Sequence, residues 1–279
     1  MDKKKPLLTN AARPATYEVE AYNENGEMVP TSIAGEHPLT LYLDKREIVT
    51  LMTLGHAPEA LAIGYLRNQR LVSSIDQITA VQVDWETESV AVTTQGKSKD
   101  VQKQIKKKTV TSGCGQGTMF GDLMEEIDSV KLRDDVRLAD EKLFLLIDKV
   151  RKHETIYKQA GAVHGCALAS TEGEILMFVE DVGRHNAVDA IAGFMWLDAI
   201  DGSDKVFYTT GRLTSEMVIK CAQMRIPFLV SRSGLTQMGH AIAKKTGITM
   251  LGRASGRHYL AFTGKERLVR SLPRPTALA

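Results

Sequence analysis

The sequence predicts a mixed α/β fold, α+β overall, in which a smaller β-rich N-terminal domain precedes an α/β domain. Three observations predict it. Apolar strands and helices alternate from about residue 163 to residue 251, as they do where crossover helices cover a largely parallel sheet. Within residues 39–43 and 81–92 the apolar positions recur every second residue, the period of half-buried strands. Between these two regions, residues 96–111 carry many lysines and few apolar side chains.

The elements follow in order. Residues 1–16 are basic and polar, with Pro6 and Pro14, and read as a flexible arm. Residues 17–110 form the β-rich domain. Leu39, Leu41 and Leu43 alternate with Thr40, Tyr42 and Asp44 in one strand. Val81, Val83 and Trp85 make a second strand, and Val90 and Val92 return after a short turn as a hairpin. A helix interrupts the strands. Pro58 suits its first position, and Leu61, Ala62, Tyr65 and Leu66 follow at helical spacing. Residues 111–136 are a glycine-rich thiol loop and linker. Residues 137–279 are the α/β domain, opened by a helix over Leu143, Leu146, Ile147 and Val150. Strands are expected at 163–168, 175–179, 206–208, 227–230 and 248–251. Helices are expected around 188–195, 217–224 and 238–245.

Composition excludes several classes. At 43% hydrophobic residues the chain is too apolar to be disordered over most of its length. No run of about 18 uncharged apolar residues exists to span a membrane. The lysine-bearing N-terminus is followed by too few apolar residues for a signal peptide. Lys and Arg number 36 against 34 acids, a net charge of +2, which argues against nucleic-acid binding over a whole basic surface. Three widely spaced cysteines do not make a disulfide framework and suit a reducing compartment. The expectation is a cytoplasmic protein.

The familiar catalytic signatures are missing: no P-loop, no strand-borne GxGxxG, no GxSxG elbow, no HExxH. His164 and Cys166 are two apart, but no further ligands follow at regular spacing, so no zinc site is expected. Cys114 is the unusual thiol. It stands between Gly113 and Gly115, shortly after six lysines at 97, 99, 103, 106, 107 and 108. Nearby lysines stabilise a thiolate, the reactive form of cysteine. A surface cysteine without a role remains the other reading. Cys166 and Cys221 lie in apolar patterns and read as small core residues.

Four polar loops then follow four apolar strands, and each carries arginine. Arg184 and His185 open a helix after Glu180 and Asp181, a placement that suits phosphate. A salt-bridged, helix-capping loop is the alternative. Gly211 and Arg212 come before Thr214 and Ser215, either of which can cap the next helix. Arg212 then faces a ligand or pairs with Glu216. The third loop holds Arg232, and the fourth comprises Gly252, Arg253, Ala254, Ser255, Gly256 and Arg257. Ligands of α/β sheets sit at the carboxyl ends of strands, and guanidinium forks fit phosphates. The repetition points to an anionic, nucleotide-like ligand.

At these loops the chain resembles the FdhD family, the formate dehydrogenase accessory sulfurtransferases. The matching stretches are EDVGRHNAVD, TGRLTSEMVIK, IPFLVSRS, GITMLGRASGR and the SGCG around the thiol, within a resemblance running from about Leu39 to Arg270. The resemblance implies a sulfur carrier. Such a protein takes sulfur from a cysteine desulfurase as a cysteine persulfide. It delivers that sulfur to the molybdenum, or tungsten, of a bis-guanine-dinucleotide pterin cofactor, which then enters the formate dehydrogenase apoprotein. It also implies a homodimer, a cytidine deaminase-like C-terminal layer without zinc, and no permanent metal. By position, Cys114 matches the persulfide cysteine. Gly252, Arg253, Ala254, Ser255, Gly256 and Arg257 match the guanine-dinucleotide segment, one residue shorter than in some relatives. Arg184, His185, Gly211 and Arg212 are the further cofactor-facing positions. Many relatives carry CxxC in the thiol loop, and Gly117 stands here in place of the second cysteine. A cofactor-binding chaperone without sulfur chemistry is therefore the alternative. A nucleoside deaminase, suggested by fold alone, lacks its zinc ligands.

Overall fold

The computed structural model of the chain describes residues 5–95, 110–111, 117–118, 127, 130, 132–153 and 155–270. It is a mixed α/β structure. The chain opens with β1 (Leu7–Leu8), β2 (Thr16–Tyr22), β3 (Met28–Ala34), β4 (His37–Leu43) and β5 (Arg46–Thr53). Helix α1 (Pro58–Asn68), β6 (Ile78–Asp84) and β7 (Ser89–Thr94) follow, then the short β8 (Val110–Thr111) and β9 (Gly117–Thr118). Next come β10 (Leu138–Ala139), α2 (Asp140–His153), α3 (Thr155–Ala160), β11 (His164–Ser170), β12 (Ile175–Asp181) and α4 (Arg184–Leu197). The chain continues through β13 (Lys205–Thr209), α5 (Ser215–Gln223), β14 (Phe228–Ser231) and α6 (Gln237–Thr246). It ends with β15 (Thr249–Ser255), β16 (His258–Ala261) and β17 (Leu268–Val269).

These elements cluster into two units that are not contiguous in sequence. The first comprises Met1–Glu126, Glu154–Cys166 and Val179–Ile200; the second comprises Ile127–His153, Ala167–Phe178 and Asp201–Ala279. The first unit holds a five-stranded sheet in the order β1-β6-β7-β4-β5 and the antiparallel β2–β3 ribbon. The expected strand over residues 39–43 is β4, and the expected hairpin is β6–β7. Residues 5–16, read from sequence as a flexible arm, are tied down instead. Leu7 and Leu8 pair in parallel with Ala80 and Val81. The amide of Ala11 donates to Glu59 Oε1 at 2.8 Å, and the Arg13 guanidinium lies 4.9 Å over the Trp85 ring. Exposed edge strands seek partners, and this segment covers one.

Helices α1 and α4 pack together in the first unit. Both are apolar almost all round, as helices buried on every side are. Polar side chains cross between them: Asn68 Nδ2 donates to Asp189 Oδ1 at 2.7 Å, and Arg67 donates to the Ala192 carbonyl at 2.7 Å. Arg67 also lies 5.2 Å over the Trp196 ring. Burial pulls its pKa down to about 10.

A six-stranded sheet runs in the order β12-β11-β13-β14-β15-β16, and β13 to β16 lie wholly in the second unit. β13, β14 and β15 are parallel, and β16 returns antiparallel to β15. One sheet face, through Val206, Tyr208, Phe228, Val230 and Leu251, packs on Leu143, Leu146, Ile147 and Val150 of α2. Alternate residues Phe207, Leu229 and Met250 are also fully buried. Central parallel strands covered on both faces read as unbroken apolar runs, which is why they were legible in the sequence.

Tyr259 of β16 anchors α2 by donating to Asp140 Oδ1 at 2.6 Å. Burial, then this bond, raises the phenol to about 12. The unfolded chain ionises near the ordinary value of about 10. Between those values the unfolded state therefore gives up its proton first. Stability that is present below pH 10 is lost as pH rises towards 12. Urea unfolding across this window should show a steeper decline for the native protein than for Tyr259→Phe; equal slopes would contradict it.

Candidate functional site

The sequence-derived site residues fall into three places. Arg184 and His185 are the first two residues of α4, in the first unit, with Gly183 at the N-cap position. They are buried rather than displayed on a loop, at 4% and 1% exposure. They help to line a cavity of about 340 Å³. Its lining combines Glu36, Thr50, Leu51 and Met52 with His164, Val182, Gly183, Arg184, His185 and Asn186.

Asp181 holds that turn in shape. Its Oδ2 accepts from Thr53 Oγ1 at 2.6 Å and from the Leu54 amide at 3.1 Å. Its Oδ1 accepts from the Gly183 amide at 2.9 Å and from Asn186 Nδ2 at 2.8 Å. Burial pushes this carboxyl up, against four donors that favour the ionised form. Asn186 also donates to the Met52 carbonyl at 2.6 Å, which fixes the start of α4 on β5. Glu180 accepts from the amides of Ile156 and Tyr157, both at 3.0 Å. The acidic pair preceding Arg184 is thus structural, each carboxylate spent on positioning backbone.

The second place lies at the carboxyl ends of β13, β14 and β15 in the second unit. Ser231 Oγ donates to the Gly211 carbonyl at 2.7 Å, and the Leu213 amide donates to Gly234 at 3.0 Å. The Arg253 amide donates to the Ser233 carbonyl at 2.9 Å. These bonds join three of the four arginine-bearing loops into one rim, from which Arg212, Arg232 and Arg253 are exposed. Thr214 occupies the N-cap of α5 but makes no side-chain capping bond, whereas Thr236 caps α6 through the Gly239 amide at 3.2 Å. Glu216 pairs with Lys220, both buried, at 3.4 Å.

The 252–257 stretch is not a loop after a strand. Gly252, Arg253, Ala254 and Ser255 belong to β15, and Gly256 and Arg257 form the turn into β16. The register slips between Gly252 and Ser255, a bulge in which Arg253 takes φ +53°. Left-handed backbone costs a non-glycine residue about 1–2 kcal/mol, and such conformers gather at functional sites. Gly256 takes φ +56° at the turn, where glycine carries no penalty. Arg253 and Arg257 are both exposed.

The third place is Cys114, which lies outside the described residues. In sequence it sits midway between β8 and β9, which pair with Thr111 opposite Gly117. Cys166 and Cys221 are both fully buried, at 0% exposure. Among the described residues, no three His, Cys, Asp or Glu side chains are placed to hold a metal ion. Among them, too, no helix is long and apolar enough to cross a membrane.

A family model described as the FdhD/NarQ family matches residues 34–269. The chain belongs to the FdhD/NarQ family. The sulfur carrier protein FdhD of Listeria innocua is 29% identical over 242 residues, covering 86% of this chain and 92% of its own. That of Wolinella succinogenes is 29% identical over 84% of this chain and 81% of its own. A crystal structure from Desulfotalea psychrophila, described as a formate dehydrogenase accessory protein, superposes with a TM-score of 0.76 at 26% identity. It covers 92% of this chain and 100% of that one. The FdhD/NarQ match spans all three places described above. It also spans two further cavity residues: Glu36, which the sequence reading passed over, and His164, which it weighed only as a zinc ligand. No periodicity marks them: Glu36 precedes a strand, and His164 begins one.

Proposed function

We propose that this chain is a sulfur carrier serving formate dehydrogenase. It accepts sulfur from a cysteine desulfurase as a persulfide on Cys114. It passes that sulfur to a bis-guanine-dinucleotide molybdenum cofactor, bound as substrate, before the cofactor enters the dehydrogenase. Family membership supports the reading, as do relatives named for sulfur carriage. The observation that carries it to a residue is the burial of Cys166 and Cys221: a sulfur exchanged between proteins must ride on an accessible thiol, and Cys114 is the third of three cysteines. Incubation with a desulfurase and cysteine, followed by mass spectrometry of peptides, tests it. A sulfur adduct on the Cys114 peptide is expected. Its absence favours the second reading, a cofactor-binding chaperone, which Gly117 in place of a resolving cysteine keeps in view.

The cofactor's guanine-dinucleotide end is assigned to the β15–β16 turn, and the arginine rim to its phosphates. Removing one charge-assisted bond typically weakens binding by about tenfold or more. Arg257→Ala should lower GDP affinity by that factor in calorimetry. Because Arg257 is exposed in a turn, the fold should survive, and unchanged affinity would move the ligand elsewhere. The reading includes a cytoplasmic homodimer, since a cofactor with two guanine dinucleotides suits two equivalent sites on a two-fold axis.

A further inference from the structure

The cavity at the start of α4 has a chemistry distinct from that of the arginine rim. The rim is open and cationic. The cavity is partly enclosed, and Glu36 brings a carboxylate to its lining. Glu36 lines it and is exposed, and Asp181 lies behind Gly183 and Asn186. A small anion there would meet the Glu36 carboxylate, which weighs against phosphate in spite of Arg184. Its volume of about 340 Å³ is at the small end for ligand pockets, enough for a bicyclic ring and too little for a dinucleotide.

The lining narrows the ring's chemistry. Leu51, Met52 and Val182 offer apolar contact to a flat face. A carboxylate only accepts hydrogen bonds, and a guanidinium only donates. A ligand that shows N–H groups to Glu36 and an acceptor such as a ring carbonyl to Arg184 suits this lining. Imidazoles at His164 and His185 can serve either kind of group. A 2-amino-4-oxopyrimidine ring has this pattern. Its ring N–H and amino group form a two-donor edge that a carboxylate binds bidentately, and its carbonyl lies beside that edge. We propose that the cavity binds the 2-amino-4-oxopyrimidine ring shared by guanine and pterin, with Glu36 reading the two-donor edge. The inference rests on the sulfur-carrier reading, in which the substrate carries both rings. It assigns Glu36 as a specificity-determining residue.

Calorimetry on the full chain tests it, with guanosine, inosine and free pterin as probes. Inosine lacks the amino group that Glu36 reads. Titrations run in the Arg257→Ala background, which weakens binding at the β15–β16 turn, so that the response to Glu36→Gln reports on the cavity. Guanosine or pterin should bind, and the probe that binds more tightly identifies which ring occupies the cavity. If guanosine binds, it should exceed inosine by about tenfold. Glu36→Gln should bring guanosine and inosine close to equal, or weaken pterin by a similar factor. Glu36 is exposed, so this variant should retain the native circular dichroism spectrum and melting temperature. Equal affinities before the substitution, affinities unchanged after it, or no binding of either ring would overturn the assignment. The Cys114 adduct is measured on the same samples. An adduct without ring discrimination rejects the cavity assignment and leaves the sulfur carrier standing; no adduct rejects the carrier on its own.

Discussion

Cys114→Ser is expected to abolish sulfur delivery while leaving fold and GDP binding intact. In the proposed function, loading requires the Cys114 thiolate to attack the outer sulfur of the donor's persulfide. A sulfur–sulfur bond forms on Cys114, the donor's breaks, and the donor cysteine departs as a thiolate. A serine hydroxyl is not ionised near neutral pH and cannot hold the transferred sulfur in this way. The other two thiols cannot substitute, because each is fully buried: Cys166 in β11 and Cys221 in α5. Cys166→Ala and Cys221→Ala should reduce stability modestly and spare activity. The measurement is formate dehydrogenase activity in a strain lacking its own accessory protein and complemented with each variant. If Cys114→Ser restores activity as fully as the native chain, the persulfide assignment is wrong and the chaperone reading replaces it.

Gly193→Ala should be among the most destabilising single substitutions in the first unit. A Cβ at Gly193 would lie 1.9 Å from the Ala60 carbonyl oxygen, and one at Gly64 would lie 1.7 Å from that of Asp189. Both obstacles are helix backbone, which cannot rotate aside as a side chain would. Alanine gains up to about 1 kcal/mol over glycine in helix propensity. Against that, α1 and α4 must separate by about an ångström, loosening the buried Asn68–Asp189 and the partly buried Arg67–Ala192 hydrogen bonds. Overpacking of this kind outweighs the propensity gain, with a net loss of about 3 kcal/mol or more. A fall in the urea midpoint at constant slope would show it. A variant within about 1 kcal/mol of the native protein would mean that the helices pack less rigidly than these distances require.

That helix pair also marks the limit of what local pattern reveals. α1 and α4 were each legible as helices from Pro58 and from the spacing of Val188, Ile191 and Met195. Their partnership was not, because mid-helix glycines read as weak helix formers until the facing carbonyl is in view. Residues 5–16 were misread for a similar reason: Leu7 and Leu8 gain their partners some seventy residues later in β6. At the site, the four arginine-bearing loops were found from sequence, since polar residues after apolar strands are a local signal. Their sorting was not. Three join in one rim, whereas Arg184 and His185 are buried beside a cavity whose lining also takes in Glu36 and residues of β5.

By itself, the sequence determined the order and type of the main strands and helices, because period and punctuation act over a few residues. It also singled out Cys114, whose lysine-rich setting is composition, and it carried the family motifs. Tertiary structure alone decided that Asp181 would meet Thr53, 128 positions away, and spend its carboxylate on the turn that aims α4. It alone decided that Arg253 would sit at a bulge and that two glycines would let helices touch. The physical reason is common to these cases. Each depends on a group brought close by folding, and the free energy of that contact has no signature in the residues next to it in the chain.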